Sequence, residues 1–371
     1  MKLLIISSAP FIRKGNELYA YSPYVNEMEI WQKNVDEIVF CCPFWKTERD
    51  LLVKKIPFNV DGIVELKDFN STSFFNSIKS IPLLIYNISV LFYAIFKADA
   101  IHLRCPGNVG LLGCIVQMFF PFKKKTAKYA GNWDPKSNQP WSYKLQKRIL
   151  SNTFLTKNMQ VLVYGEWKHQ SKNIKSFFTA TYLESDKKTV VARDFKSDIT
   201  FLFVGSLSIG KQPLYAIQLL QFLKKSNKQC KLHIYGDGIL KQELIDYIEQ
   251  NNLDDDIILF GNQNQEVIKK AYQNSHFLIL PSLSEGWPKV IAESMFWGCL
   301  PISTPVSCVA NMLDNGNRGL LLTMDPKIDS NEISNIINNE KHYNDMSNKA
   351  IQWSRKFTLD VFENEIALLL K

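Results

Sequence analysis

The 371-residue sequence predicts an α/β protein of two doubly wound domains, each with a mostly parallel sheet. Three observations predict it. Short β-rich runs alternate with helix-patterned segments along the chain, the signature of strand–helix–strand units. Several of these runs stop at a glycine or a Pro-Ser turn, where a strand would hand over to a loop. The length, at a prior of roughly 150 residues per domain, gives two cores rather than one. Hydrophobic content of 46% and charged content of 22% are those of an ordinary globular chain.

In the first half, strands are predicted at Leu3–Ser7, Glu37–Cys42, Ala100–Leu103, Ala127–Ala130 and Gln160–Tyr164. The apolar run Leu3–Ile6 is too short for a signal-peptide core and Arg13-Lys14-Gly15 follows it, so it reads as a first buried strand of a protein kept in the cytosol. Ser8–Ser22 reads as the first strand-to-helix loop. Ile81–Phe96 spans about 24 Å as a helix, short of a hydrocarbon core of about 30 Å, and predicts a buried helix. Val109–Phe122 precedes Lys123, Lys124, Lys125 and Lys128. It fits either a core helix with a solvated basic end or a contact with an anionic membrane surface.

The second half is more regular. Ile199–Gly205 is a β-rich run, followed by a helix with Pro213 in its first turn and Leu214, Ile217, Leu220 and Leu223 on one face. Strand Lys231–Tyr235, the turn Gly236-Asp237-Gly238 and helix Leu240–Ile248 come next. Strand Ile257–Phe260 precedes helix Gln265–Gln273, and strand Phe277–Leu280 leads into Pro281-Ser282-Leu283-Ser284-Glu285-Gly286. Helix Pro288–Trp297 stops at Gly298 before strand Leu300–Ser303. The charged stretch Lys187–Lys196 marks the boundary, giving domains at 1–190 and 191–355. A last helix over 356–371 need not pack on the domain before it.

Charge is uneven. Residues 1–200 hold 28 Lys and Arg against 17 Asp and Glu, and residues 201–371 hold 16 against 19, so +11 and −3 make up the net +8. Only the first half is suited to an anionic partner. The seven cysteines include no C-x-x-C pair and the five histidines do not cluster with them, which argues for reduced buried thiols and no zinc site.

The chemistry concentrates in Ser284–Pro301, where Glu285 and Glu293 stand eight positions apart. With Pro288 at the first helical position, Glu285 lies in the loop at the carboxyl edge of a strand and Glu293 one to two turns into the helix. Ligands of open α/β sheets bind at that edge, and free amides at a helix start suit a diphosphate. Carboxylates accept strongly from the paired hydroxyls of a sugar or ribose. Pairing of Glu293 with Lys289 one turn earlier is the plain structural alternative.

The string from Glu285 to Pro301 resembles the signature of the family-4 retaining glycosyltransferases of the GT-B fold: E-G-aromatic-P-K-V, then E-[AS]-M, then G-x-P. The likeness covers residues 199–325 well. It implies two Rossmann-like domains facing each other across a cleft, with a nucleotide sugar held by Gly286, Trp287, Pro288, Lys289, Val290 and Glu293, and with Glu285 at the reacting sugar. Phe203–Pro213 resembles the family's second signature, in which an Arg after the glycine and a Lys five residues beyond it hold the diphosphate. Gly205 and Lys211 match, but Ser206 replaces the Arg. Gly236-Asp237-Gly238 and Gly261-Asn262 lie, by the same likeness, near the base.

In the first half the likeness places Gly15 near the phosphates, where the family has a glycine pair, and makes Asn132 and Asp134 occupy the strand end at which relatives carry a catalytic His or Asp. Arg13, Lys14 and Arg104 are further anion-contact candidates, and an N-cap is the competing role for Asp134. Asp254-Asp255-Asp256 precedes a strand, at the wrong end of a sheet for a site, so no metal is expected. No other cofactor is implied; the nucleoside-diphosphate sugar is a co-substrate.

The implied reaction is transfer of a sugar, with retention, to a hydroxyl of a lipid-linked saccharide in bacterial surface-polysaccharide assembly such as capsule or O-antigen synthesis. The place would be the cytosolic face of the membrane, reached through Lys123, Lys124, Lys125 and Lys128, with no nucleic-acid partner. A sugar-nucleotide epimerase of the same architecture and a catalytically silent nucleotide-sugar-binding subunit stay open. A nicotinamide oxidoreductase is disfavoured by the lack of a G-x-G-x-x-G after a strand.

Overall fold

The structure is a computed structural model that describes residues 1–49, 52–68, 81–225 and 229–371. The chain divides into two compact units, Met1–Phe177 with Glu363–Lys371, and Phe178–Phe362.

The first unit contains strands β1 (Lys2–Ile6), β2 (Phe11–Lys14), β3 (Glu17–Tyr21), β4 (Glu37–Trp45), β5 (Val53–Lys55), β6 (Gly62–Leu66), β7 (Ala100–Cys105), β8 (Lys124–Tyr129), β9 (Met159–Tyr164) and β10 (Ile174–Phe177), and helices α1 (Ser22–Gln32), α2 (Ile81–Lys97), α3 (Asn108–Val116) and α4 (Trp141–Leu150). The sheet runs β10-β9-β8-β7-β1-β4, with β6 also on β4, all parallel. Leu4, Ile6, Ile101, Leu103, Ala127 and Val161 of its strands pack against Leu91 and Ile95 of α2 and Val109 and Leu112 of α3. Each such fully buried aliphatic contributes about 1.5–3 kcal/mol.

Beyond β4 the sheet departs from expectation. Ser8–Ser22 is not a strand-to-helix loop: β2 and β3 form an antiparallel hairpin in which Lys14 faces Glu17 across the two-residue turn Gly15-Asn16. Gly15 takes φ +59° there, a conformation open to glycine at little cost. Phe11 seals the hairpin by joining Phe44 of β4. β5 extends the ladder on β3.

The second unit contains β11 (Ile199–Val204), β12 (Cys230–Tyr235), β13 (Ile257–Gly261), β14 (Phe277–Leu280), β15 (Leu300–Ser303) and β16 (Leu320–Leu321). Their order is β13-β12-β11-β14-β15-β16, parallel throughout. Helices α5 (Pro213–Lys224), α6 (Lys241–Gln250), α7 (Gln265–Asn274), α8 (Lys289–Phe296), α9 (Val309–Met312), α10 (Pro326–Ile337) and α11 (Glu340–Ser354) surround it, and α12 (Leu359–Leu370) ends the chain. Phe201, Phe203, Leu232, Ile234, Phe277 and Ile302 pack against Leu220, Leu244, Ile333 and Tyr343. Chain order reverses between β11 and β14, a switch point whose carboxyl edge opens a crevice.

Phe178–Val190, read from sequence as part of the first domain, belongs to the second unit. Phe178 packs on Phe357 and Phe362, and Tyr182 packs on Phe296 and Trp297. Arg193 then fastens the stretch before β11. Its guanidinium donates to the carbonyls of Ser275 at 2.9 Å, Tyr272 at 3.0 Å and Trp297 at 2.7 Å.

All seven cysteines are buried and free. Among the described residues, no helix is long and apolar enough to cross a membrane, and no group of three His, Cys, Asp or Glu is placed to hold a metal. Asp256 pairs with Lys224 ahead of β13.

Candidate active site

The carboxyl edge of the second sheet is built backbone first. β11 ends at Gly205, whose amide donates to the Tyr235 carbonyl at 2.9 Å. Gly236 follows β12 at φ +144°, and a Cβ there would stand 1.9 Å from the Gly205 carbonyl oxygen. Only glycine lets the two strand ends come this close. The Gly236 amide in turn donates to the Gly261 carbonyl at 2.9 Å, so the three strand-end glycines line one edge.

After Gly205 the chain passes Ser206, whose hydroxyl lies 3.2 Å from that of Ser208. A single 3-10 turn, Ile209–Lys211, then delivers Lys211. Gln212 follows in the left-handed region at φ +48° and ψ +51°, an uncommon conformation for a side chain of this kind. The Leu283 amide donates to the Gly210 carbonyl at 2.8 Å. That bond brings the loop after β14 onto the loop after β11, and Lys211 forms an ion pair with Glu285. The carboxylate is 9% exposed and the lysine 28%.

Helix α8 starts beside this pair. Pro288 is its N-cap, with no side-chain cap, rather than its first helical residue; ψ of +93° keeps it extended. The Ile291 amide turns back to the Pro288 carbonyl at 3.0 Å. The amides of Lys289 and Val290 have no acceptor among the described residues. Two N–H donors and the positive end of the helix dipole therefore face outward, a combination suited to an anion.

Glu293 sits one turn in. It accepts from the Thr181 hydroxyl at 2.7 Å on one oxygen and from the Tyr272 hydroxyl at 3.2 Å on the other. No ion pair joins it to Lys289 among the described residues. Burial, with the Glu293 charge beside it, pushes the Tyr272 hydroxyl well above its ordinary pKa, so it remains a donor. A carboxylate has about four acceptor positions, so Glu293 retains capacity for a ligand diol.

Trp287 packs within the second unit. Its ring stacks on Trp353 at 6.1 Å and meets Phe357 edge-on at 5.7 Å. It anchors the loop to the cluster at the end of α11.

Thr181 and Tyr272 carried no sequence signal, and the support beneath the Glu285 loop was not anticipated. The Gly286 carbonyl accepts from the Ser307 hydroxyl and the Cys308 thiol, each at 3.2 Å. The Thr304 hydroxyl donates to the Ser282 carbonyl at 2.5 Å. Burial pushes the Cys308 thiol up to about 12, so it donates rather than reacts. The run of hydroxyls Ser303, Thr304 and Ser307 directly after a strand was the available signal.

The first-unit candidates each have a local structural setting. Asn132 accepts from the Asp134 amide at 2.9 Å, and Asp134 accepts from the Lys136 amide at 2.8 Å. Both side chains cap consecutive turns, which favours the capping role for Asp134 over a reactive one. Gly15 lies at the hairpin turn, Lys14 pairs with Glu48, and Arg13 covers the Phe44 ring at 5.2 Å. Arg104 pairs with Glu27 at 2.5 Å, and Lys128 reaches the same oxygen at 3.0 Å. Burial would raise the Glu27 carboxyl, but Arg104 and Lys128 outweigh it and hold it well below the usual range.

The expected basic membrane patch is likewise corrected. Lys125 and Lys128 are 2% and 1% exposed, because β8 is a central strand between β7 and β9. The Lys125 ammonium donates to the Gln117 side-chain oxygen at 2.7 Å, and burial lowers its pKa to about 8. Lys123 donates to the Phe96 carbonyl at 3.0 Å and also to that of Ala98.

The two units are doubly wound α/β folds, and the second presents a polar, amide-lined strand edge. Residues 185–353 match the family described as Glycosyl transferases group 1. The chain is 26% identical over 174 residues to a Campylobacter jejuni GalNAc-alpha-(1->4)-GalNAc-alpha-(1->3)-diNAcBac-PP-undecaprenol alpha-1,4-N-acetyl-D-galactosaminyltransferase, covering 46% of this chain and 47% of the relative. It is 28% identical over 134 residues to the Escherichia coli lipopolysaccharide 1,6-galactosyltransferase, covering 36% of each. The matched stretch thus spans less than half the length of these curated relatives. Among solved structures, Anabaena HepE in complex with UDP and glucose aligns at a TM-score of 0.68 and 14% identity, over 100% of this chain and 99% of that one. The lipopolysaccharide outer core galactosyltransferase WaaB aligns at 0.68 and 16%, with the same coverage. The fold is the GT-B fold of these neighbours.

Proposed function

We propose that the protein is a retaining glycosyltransferase that moves a sugar from a nucleoside-diphosphate sugar to a hydroxyl of a lipid-linked saccharide. The observation that carries this reading is the Lys211–Glu285 ion pair beside the uncapped start of α8. As the bond from sugar to diphosphate breaks, negative charge gathers on the leaving phosphate. The Lys211 ammonium and the amides of Lys289 and Val290 supply opposite charge already in place, which lowers the barrier without reorganisation. Ser206 stands where the family's Arg would be and offers a hydroxyl, so Lys211 bears the larger share.

In this reading Glu285 holds Lys211 and accepts from a hydroxyl of the donor sugar, while Glu293, steadied by Thr181 and Tyr272, accepts from the ribose diol. The leaving phosphate takes the proton of the incoming hydroxyl on the same face of the sugar, which preserves the anomeric configuration, and the reaction needs no metal. Support for the donor class comes from HepE, solved with UDP-glucose. Support for the acceptor class comes from relatives whose names specify undecaprenol-linked acceptors.

A panel of UDP-, GDP- and ADP-sugars scored by saturation-transfer NMR tests the reading. One donor should contact the wild type and lose contact in Glu293→Ala; a panel without any binder would overturn it. Ser206 favours one second reading, a subunit that binds donor without turnover. Full donor binding with no product on any lipid-linked acceptor would select it.

A further inference from the structure

Helix α2 has two apolar faces. Leu91, Ala94 and Ile95 are buried against the first sheet, but Ile85, Tyr93 and Phe96 are 60%, 64% and 63% exposed, and Phe92 is also outward. Ile85, Phe92 and Phe96 lie on one helix face, with Ser89 between them. The surface does not end with the helix. The Phe92 ring lies 6.2 Å from Phe119 and 4.8 Å from Phe120. Lys123, through its bond to the Phe96 carbonyl, ties the chain just after Phe122 to the end of α2. Phe119 and Phe122 are themselves exposed. Apolar side chains scattered singly on a surface need no explanation; a contiguous group of this size marks an interaction surface.

Charge chooses the occupant. The Lys97 ammonium lies 5.5 Å over the Tyr93 ring and that of Lys157 lies 5.6 Å over the Phe122 ring. From residue 81 to residue 133 the one acidic residue is Asp99, and its carboxylate accepts from the Lys2 amide at 2.7 Å. Aromatic rings edged by long-stemmed ammonium groups match the boundary between acyl chains and anionic headgroups, where rings enter the apolar layer and the cations stay among phosphates.

We propose that this face of α2, together with Phe119 and Phe122, docks on an anionic lipid bilayer, with Lys97 and Lys157 among the headgroups. The membrane contact thereby moves from the lysines at 123–128 to the aromatic rings. The inference deepens the lipid-linked acceptor reading and takes its biological sense from it, but the binding itself is measured without donor or acceptor.

Co-flotation with vesicles of phosphatidylglycerol and phosphatidylcholine, against phosphatidylcholine alone, tests it. Wild type should float with the anionic vesicles. The variant Tyr93→Ser/Phe96→Ser/Phe122→Ser should bind them at least about tenfold more weakly, and Lys97→Glu/Lys157→Glu should lose its preference for them. An unchanged thermal melt and unchanged donor binding in the triple variant show that it has folded. A wild type that does not float, or a triple variant that floats equally well, overturns the proposal. So does a wild-type dimer in light scattering that fails to float and is broken by the triple variant, since a second copy would then be the occupant. Flotation without sugar transfer would leave this surface standing and remove the transferase reading instead.

Discussion

Lys211 and Glu285 are separated by 74 residues in the chain and joined in one ion pair where β11 and β14 end. The pair depends on a backbone bond, Leu283 to Gly210, that fastens one loop to the other. Its members have different fates on substitution. On the proposed reading Lys211→Ala removes the cation that would meet the leaving diphosphate, and kcat should fall by about 10²–10³-fold. Lys211→Arg should recover part of that rate. Initial rates at saturating donor are the measurement, and an unchanged kcat in the alanine variant would remove Lys211 from the reaction.

The contact of Gly236 with Gly205 makes a sharper prediction. A methyl group 1.9 Å from a carbonyl oxygen has no space unless one strand end moves. Gly236→Ala should lower stability by about 3 kcal/mol or more and weaken donor binding together with it. Urea denaturation and donor titration on the same sample check both. Gly210, with no atom within 4 Å of a Cβ, is the control: Gly210→Ala should have little effect.

In the first unit, Glu27 holds two cations, Arg104 and Lys128. Glu27→Gln leaves both with a neutral partner and should cost about 3–5 kcal/mol at neutral pH. The carboxyl is held below its unfolded value, so its contribution is complete above the unfolded pKa of about 4.3 and is lost as pH falls toward the folded one. Wild type and variant should therefore begin to converge in stability below about pH 4 and go on converging as pH falls further. Paired urea titrations across the acid range would show this; a pH-independent difference would contradict it.

Lys125 titrates with the opposite consequence. Burial lowers its pKa to about 8, so the folded state binds fewer protons than the unfolded one between that value and about 10.4. Wild type should gain on Lys125→Met through this window, by at most about 1.4 kcal/mol per pH unit. Below pH 8 the difference between the two should be flat. Denaturation midpoints from neutral to alkaline pH provide the measurement.

Much of the second unit was legible because local signals agree there. Each strand from Ile199 to Ser303 is a short apolar run, four of them stop close to a glycine or proline, and the helices between carry one apolar face. Glu285, Lys211 and Glu293 were legible for a different reason: the motifs around them resemble those of a known family. Thr181 and Tyr272 were not legible, since hydroxyls reach Glu293 from segments with no shared pattern. The hairpin at Phe11–Tyr21 was missed because alternation so short is hard to tell from a loop until β4 supplies the neighbouring strand. The lysines at 125 and 128 misled because sequence shows charge without showing burial. β8 is central in its sheet, and it turns Lys125 toward Gln117 and Lys128 toward Glu27.

Arg193 bears on how the protein can be dissected. Its three carbonyl contacts reach the end of α7, the residue after it and the residue after α8, and Thr181 lies further upstream still, on Glu293. A fragment cut at the first obvious strand, Ile199, would discard both along with Tyr182, leaving Trp297 only Phe296 as an aromatic neighbour and Glu293 only the Tyr272 hydroxyl among the described residues. Anyone excising the second unit for crystallisation or ligand screening has reason to begin no later than Phe178.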